Sequence, residues 1–163
     1  MLHRQFIIVG ATPQKRKRFA ASAVDIAHRI GWTGREFLVG FETSVVGKLL
    51  DQSHSHSALA VAASGSILER LATASAVSQD YEDAIIFYDC YMANPYFKTE
   101  DEGVLKAAEE CFAPLTMFDA LISCVPLDAI KPEEKEWLEE KSSLDIVDMS
   151  NSPSAFARLL LGW

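Results

Sequence analysis

Short apolar segments alternate with helix-forming stretches along this chain, and this alternation restricts the fold more than any other feature. The predicted strands are the apolar segments 6–9, 36–41, 84–89, 119–127 and 144–149. The predicted helices cover 14–30, a short segment through Leu50, 57–78, 101–112, 132–141 and 152–161. Strands that alternate with helices form βαβ units with parallel strands. The sequence therefore predicts one α/β domain over residues 1–163, with a mostly parallel sheet between two layers of helices.

The composition is that of an ordinary globular protein. Apolar residues make up 49% of the 163 residues and charged residues 23%. No apolar run approaches the roughly 20 residues of a membrane-spanning helix, so no membrane partner is expected. The first ten residues lack the apolar length and the cleavage site of a signal peptide. The cysteines, Cys90, Cys111 and Cys124, have no metal-ligand spacing and predict free thiols in a reducing, cytoplasmic compartment.

Charge is distributed unevenly along the chain. The formal net charge is −8, which argues against general nucleic-acid binding because that function needs a basic surface. Residues 1–70, however, contain nine of the 15 lysines and arginines and only five of the 23 acids, so this part carries +4 and the remainder −12. A basic region on an acidic protein is what an anion-binding site would produce, although a chance distribution would look the same.

The segment 6–19, FIIVGATPQKRKRF, has some features of a phosphate-binding loop. An apolar strand ends at Gly10, a helix follows, and its first turn contains four consecutive cations at 15–18. The positive end of a helix dipole and nearby lysines favour a bound anion. The segment lacks the second glycine before the lysine and the serine or threonine after it that such loops use. The pattern is therefore compatible with a phosphate site and equally with a solvent-exposed basic turn.

An acid stands at the end of the predicted strand 84–89. Asp89 could hold Mg²⁺ or accept a proton from a substrate hydroxyl, or it could simply cap the turn that follows the strand. The segment 88–97 is rich in aromatic residues and could form a pocket wall for a base or pack as an ordinary loop. Ligands of open parallel sheets bind beyond the carboxyl ends of the strands, so we expect Gly10 and Asp89 at the same edge as the loop 126–131.

The order of these elements resembles that of P-loop kinases, in particular the nicotinamide riboside kinase-like group of small ATP-dependent nucleoside kinases. Most of the chain takes part, in the segments FIIVGATPQKRKRF, AVAASGSILERLATASA, AIIFYDCYMANPYF and FDALISCVPLDAIKPEE. These segments look like the phosphate loop, the helix before the acidic strand, the acidic strand with its aromatic extension, and the strand that leads into the lid.

The resemblance implies a phosphoryl-transfer site that binds ATP and Mg²⁺. Its nucleotide-binding residues would be Gly10, Lys15, Arg16 and Lys17. Lys17 and Asp89 would be catalytic, and Asp89 would also bind Mg²⁺ or the acceptor hydroxyl of a small nucleoside-type substrate. The lid segment 128–141 contains Lys131 and Lys135 but no arginine, whereas such kinases usually place arginines there to stabilise the transferring phosphoryl group.

Three functions remain open on this basis. The first is a divergent kinase that binds nucleotide through Lys15 and Lys17 and uses Asp89 in phosphoryl transfer. The second is a catalytically degenerate member of the same fold that serves as a binding or assembly component, with a protein partner or as a homo-oligomer. The third is an unrelated flavodoxin-like binding module, which predicts a strand order without the insertion between the first strand and its acidic-strand neighbour.

Overall fold

Five strands and three complete helices make up the described part of the fold. The computed structural model of the protein describes residues 2–39, 72–90, 102, 103, 106 and 118–163. The strands are β1 (Leu2–Val9), β2 (Arg35–Val39), β3 (Asp83–Asp89), β4 (Ala120–Ser123) and β5 (Ile146–Asp148). The helices are α1 (Pro13–Arg29), α2 (Pro132–Ser142) and α3 (Pro153–Leu161), with a 3₁₀ turn at Leu127–Ala129. Each of the five predicted strands is present, although the one predicted at 119–127 ends at Ser123. The predicted helices 14–30, 132–141 and 152–161 are confirmed.

The strands form one sheet in which every pair is parallel, in the order β2-β3-β1-β4-β5. The central strand β1 pairs with β3 on one side, where Phe6 is opposite Phe87, and with β4 on the other, where Phe6 is opposite Ala120. Flavodoxin-like sheets have the order 2-1-3-4-5, in which the first two strands are neighbours. Among the described strands β3 separates β1 from β2, so the described strand order differs from the flavodoxin-like order.

Helices flank the sheet, as in a three-layer α/β fold. The chain moves from β1 towards one edge of the sheet through α1, and from β4 towards the opposite edge through α2. Because parallel crossovers are right-handed, helices that lead in opposite directions lie on opposite faces of the sheet. The apolar runs 6–9 and 84–88 are buried along their whole length, as expected for strands that are covered on both faces.

The packing of α1 against α3 is built around one phenylalanine of α3. The ring of Phe156 is fully buried and stacks on Phe19 of α1, with ring centroids 5.3 Å apart. Its edge meets Phe6 of β1 at 6.0 Å. The side chain of Ser152 starts α3 by accepting a hydrogen bond from the amide of Ala155 at 3.3 Å, as a helix N-cap does.

Several predicted elements lie partly or wholly outside the described residues. The predicted helix 57–78 is described only from residue 72, and it continues to residue 80. Residues 102, 103 and 106 are helical, in agreement with the prediction for 101–112. The predicted short helix through Leu50 and the aromatic segment after Cys90 lie outside the described residues. In the described segments, no helix has the length and apolarity needed to cross a bilayer.

Substitution of Phe156 by alanine tests this core. We expect Phe156→Ala to lower the free energy of unfolding by about 3–5 kcal/mol, because the change removes a fully buried ring and leaves a cavity. Urea unfolding followed by circular dichroism measures the change. Val147→Ala on β5 is the control, since Val147 is 37% exposed and its loss should cost less than about 1 kcal/mol. Equal losses in the two variants would contradict the packing described above.

Candidate functional site

The loop between β1 and α1 is held in a tight turn. Gly10 and Ala11 both have positive φ, of 92° and 55°. A Cβ atom on Gly10 would overlap Cγ2 of Val125, so the close approach of the β4 loop requires glycine at this position. The side chain of Thr12 then caps α1 by accepting a hydrogen bond from the amide of Lys15 at 3.3 Å, and Pro13 occupies the first turn.

Arg16 fills the interior of this turn. Its guanidinium forms a two-pronged ion pair with Asp89: Nε donates to Oδ1, and Nη2 donates to Oδ2 at 3.0 Å. Its Nη1 donates to the backbone carbonyl oxygens of Ala11, at 2.8 Å, and of Gly10, at 3.2 Å. One side chain of α1 therefore connects its own N-terminal loop to the carboxyl end of β3.

The ion pair is buried, since Arg16 is 6% exposed and Asp89 is 1% exposed. Burial by itself lowers the pKa of Arg16, but the hydrogen bonds and negative charge of Asp89 outweigh this and raise it, so the guanidinium stays charged. Cys90 adds little to this effect because burial raises the pKa of its thiol, which is therefore neutral at physiological pH. Planar guanidinium and carboxylate groups in this arrangement form the strongest kind of hydrogen-bonded ion pair.

The groups that line this loop have the opposite charge from those of a phosphate-binding loop. A phosphate-binding loop turns backbone N–H groups inward so that they surround an anion. Here two carbonyl oxygens and a carboxylate surround a cation, which is the chain's own Arg16. Mg²⁺ could bind Asp89 only after displacing this guanidinium, and a phosphate at the same place would face the carbonyl oxygens of Gly10 and Ala11.

The other predicted cations lie outside the turn. Lys15 is exposed and Lys17 is half-buried. Successive residues of a helix are about 100° apart around its axis, so neither lysine shares the direction of Arg16. The structure thus brings Gly10, Arg16 and Asp89 together and leaves Lys17 apart from them. The roles predicted for Lys17 and Asp89 in phosphoryl transfer stay predictions.

An acid of the lid segment, Glu134, is close enough to Arg16 for the two charges to interact. Glu134 lies in the first turn of α2. Burial raises the pKa of its carboxyl group, and the positive charges of Arg16 and Lys131 partly oppose that rise. Sequence analysis missed Glu134 because it looks like one of several solvent-exposed acids on a charged helix. A negative charge here opposes the binding of a phosphate group at the same edge.

Two thiols flank the loop. Cys124 follows β4, and its Sγ donates a weak hydrogen bond to the carbonyl oxygen of Gly10 at 3.4 Å. Cys90 follows β3 next to Asp89, and both cysteines are buried free thiols, as the sequence predicts. Burial raises the pKa of both groups, so neither has the thiolate character of a reactive cysteine. They act here as small apolar residues around the ion pair.

The sequence analysis did not predict that Arg16 lies on the buried side of α1, although the spacing of the residues along this helix indicates it. On α1 the buried apolar positions are Ala20, Ala23, Val24 and Ala27. Arg16 precedes Ala20 by four residues and Ala23 by seven, so it belongs to the buried stripe of the helix rather than to its solvent face. An arginine at a core-facing position needs a buried acceptor, and Asp89 is the acid at the facing strand end.

No protein-family model matches the sequence of this chain, and no curated protein is significantly similar to it. Over the described residues, no group of three or more histidine, cysteine or acidic side chains has the arrangement of a metal site.

Disruption of the ion pair tests its structural role. We expect Arg16→Ala and Asp89→Ala each to lower the free energy of unfolding by about 3–5 kcal/mol, because each leaves an uncompensated buried charge. The double variant Arg16→Ala/Asp89→Ala should be clearly more stable than the sum of the single effects implies, because it leaves no buried charge without its partner. Urea unfolding measures all three, with Lys17→Ala as the control on the same helical turn, within about 0.5 kcal/mol of the wild type. Additive effects of the two residues would contradict a coupled pair.

The raised pKa of Glu134 predicts a pH dependence. The folded protein holds the Glu134 proton more tightly than the unfolded chain, whose pKa is about 4.3. The wild type should therefore lose stability relative to Glu134→Gln as the pH rises from about 4.3 through the raised pKa, with no further change above it. Chemical unfolding between pH 4 and 8 measures this difference, and Glu140→Gln on the exposed side of α2 is the control. A difference that is constant with pH would mean that Glu134 is not buried.

Proposed function

We propose that this protein is a divergent P-loop kinase-like protein that no longer binds nucleotide, and that it acts as a binding or assembly component. The observation that carries the proposal is the position of Arg16, whose guanidinium occupies the centre of the loop after β1 and pairs with Asp89. The two groups that the resemblance assigns to nucleotide and to Mg²⁺ are bonded to each other instead.

The electrostatics of the site support the same proposal. A bound triphosphate needs inward-facing donors and unpaired positive charge, and transfer of its terminal group needs further cations. The loop offers carbonyl oxygens, the charge of Arg16 is balanced by Asp89, and α2 contributes Glu134. The absence from the sequence of a lid arginine and of the hydroxyl that holds Mg²⁺ agrees with this arrangement.

The topology supports the kinase-like part of the proposal. β1, which leads into the loop, has the acid-ending strand β3 as its neighbour, and β4 lies on its other side. The resemblance implies this neighbourhood, because the phosphate loop and the acid must meet at one edge of the sheet. A chain can keep such a framework while the chemistry of its site changes, since fold and function are separable.

Calorimetric titration with ATP tests the proposal. We expect no saturable heat with the wild type at millimolar ATP, with or without Mg²⁺, because a ligand would have to break a buried ion pair before binding. Lys17→Ala should behave identically, since Lys17 lies outside the turn. The proposal would be overturned by saturable binding that requires Mg²⁺ and is lost in Lys17→Ala.

The second candidate function is nucleotide binding with phosphoryl transfer to a small nucleoside-type substrate. Its support is the exposed Lys15, whose positive charge partly opposes the burial that raises the pKa of the Cys124 thiol beside the loop. Lys15, Lys17 and the start of α1 would hold phosphate groups once the guanidinium of Arg16 had withdrawn, and Asp89 would then hold Mg²⁺. The same titration decides between the two functions, and Asp89→Asn should abolish phosphoryl transfer if this one is correct.

A further inference from the structure

A histidine at the end of α1 lies beside an acid at the start of β2. His28 belongs to the last turn of α1, and Glu36 is the second residue of β2. Nε2 of His28 and Oε2 of Glu36 are 3.6 Å apart, and the two side chains are 40% and 43% exposed. Arg16 lies about 18 Å away along α1, so this pair is separate from the site described above.

The imidazole ring of His28 is held in one orientation by Trp32. Its Nδ1 lies 2.8 Å from the carbonyl oxygen of Trp32, and its ring stacks on the indole with centroids 4.8 Å apart. Because a carbonyl oxygen can only accept a hydrogen bond, Nδ1 donates it and carries the proton of the neutral ring. Nε2 therefore has a free electron pair in the neutral ring.

The carbonyl group that orients His28 is itself fixed by the end of the helix. Gly31 has a positive φ of 106°, and the chain turns there so that the amide of Trp32 donates to the carbonyl oxygen of Ala27 at 3.0 Å. Trp32 is 9% exposed, so its ring has little freedom to move. The position of the Nε2 atom is thus determined by the backbone of α1 and the buried indole.

Two electron-pair donors, Nε2 of His28 and the carboxylate of Glu36, stand next to each other at the surface. Their separation of 3.6 Å is longer than a hydrogen bond. Two ligand atoms at about 2.1 Å from a tetrahedral zinc ion are about 3.4 Å apart, so a small side-chain movement suffices for both atoms to bind the same ion. The exposure of both side chains leaves the pair open to an ion from solvent.

The surroundings of His28 agree with metal binding. A histidine that binds a metal usually donates its other ring N–H to a backbone carbonyl or a carboxylate, as His28 does to Trp32. The end of α1 also places the negative pole of the helix dipole next to this histidine, which favours a cation. The other charges near the pair balance, since they are two acids and two arginines: Asp25, Asp83, Arg29 and Arg35. Binding would therefore depend on the two ligands and not on a general attraction of cations.

We propose that His28 and Glu36 bind one Zn²⁺ ion through Nε2 and Oε2, with water at the remaining positions. An imidazole nitrogen with a carboxylate oxygen suits Zn²⁺, whereas Mg²⁺ and Ca²⁺ take oxygen ligands. The bound ion joins the end of α1 to β2. With two protein ligands the site is weaker than a structural zinc site, which has four. The inference does not depend on the function proposed above.

Nuclear magnetic resonance of the histidine rings tests this proposal. Zinc chloride is titrated into the ¹⁵N-labelled full chain at pH 7.5, and long-range ¹H–¹⁵N correlations report both nitrogens of each ring. Before zinc is added, His28 should be protonated at Nδ1. Zinc should then shift its Nε2 signal saturably, and magnesium chloride should not. The proposal is wrong if His28 is protonated at Nε2, or if its Nε2 signal does not respond to zinc.

Substitution of the acid identifies the second ligand. Glu36→Gln should weaken zinc binding at His28 by about tenfold or more, since even the loss of an outer-shell partner of a metal site has an effect of this size. Glu140→Gln is the matched control, because it makes the same charge change at an exposed position of α2 and should leave the titration unchanged. Equal weakening in the two variants would show a general effect of charge and contradict the site.

The chain contains three further histidines, and two of them need their own control. His54 and His56 lie outside the described residues. The variant His54→Gln/His56→Gln should keep the zinc-dependent shift of His28, and loss of that shift would overturn the proposal. In the same variant zinc should raise the midpoint of thermal unfolding, because it binds the folded protein. Addition of His28→Gln should abolish this increase, whereas addition of His3→Gln should not. An increase that survives His28→Gln would contradict the site.

Discussion

The ion pair between Arg16 and Asp89 connects the parts of the molecule on which the candidate site depends. It joins the first turn of α1 to the end of β3, and its third donor fixes the carbonyl groups of the loop that follows β1. A buried charge pair is tolerated only when its geometry is good and its remaining hydrogen-bond capacity is used. All three guanidinium nitrogens of Arg16 have an acceptor here, so the protein's own side chain occupies the place at the carboxyl ends of the strands where such sheets usually receive a ligand.

The strands of the sheet could be predicted from the sequence because each is indicated by a few consecutive residues. β1 and β3 are continuous apolar runs, and β5 is short but lies between two helices with clear boundaries, of which α3 begins with the capping pair Ser152-Pro153. The order of the strands in the sheet cannot be predicted in this way. Which strand lies next to β1 depends on contacts between residues more than 70 positions apart, such as Leu2 with Asp83. Hydrophobic periodicity carries no information about which strands are neighbours in the sheet.

The candidate site could be predicted only in part from the sequence. Gly10 and Asp89 were expected at one edge because parallel strands bring their carboxyl ends together, and the structure places them there. The pairing of Arg16 was missed because a run of four cations resembles a solvent-exposed surface, and only the helical phase relative to Ala20 and Ala23 separates Arg16 from its neighbours. Gly31 signals the end of a helix in the sequence, but its position beside Trp163 follows from the packing of α1 on α3.

The central position of β1 has a consequence for how the chain reaches its fold. β1 is made first during synthesis, yet both of its partners come much later: Phe6 pairs with Phe87 and with Ala120. Until residues 120–123 have been made, the central strand of the described sheet lacks one of its two partners. Folds dominated by such distant pairings form slowly and expose unpaired strand edges in the meantime. The apolar residues 6–9 therefore have no strand partner until residue 87 has been made.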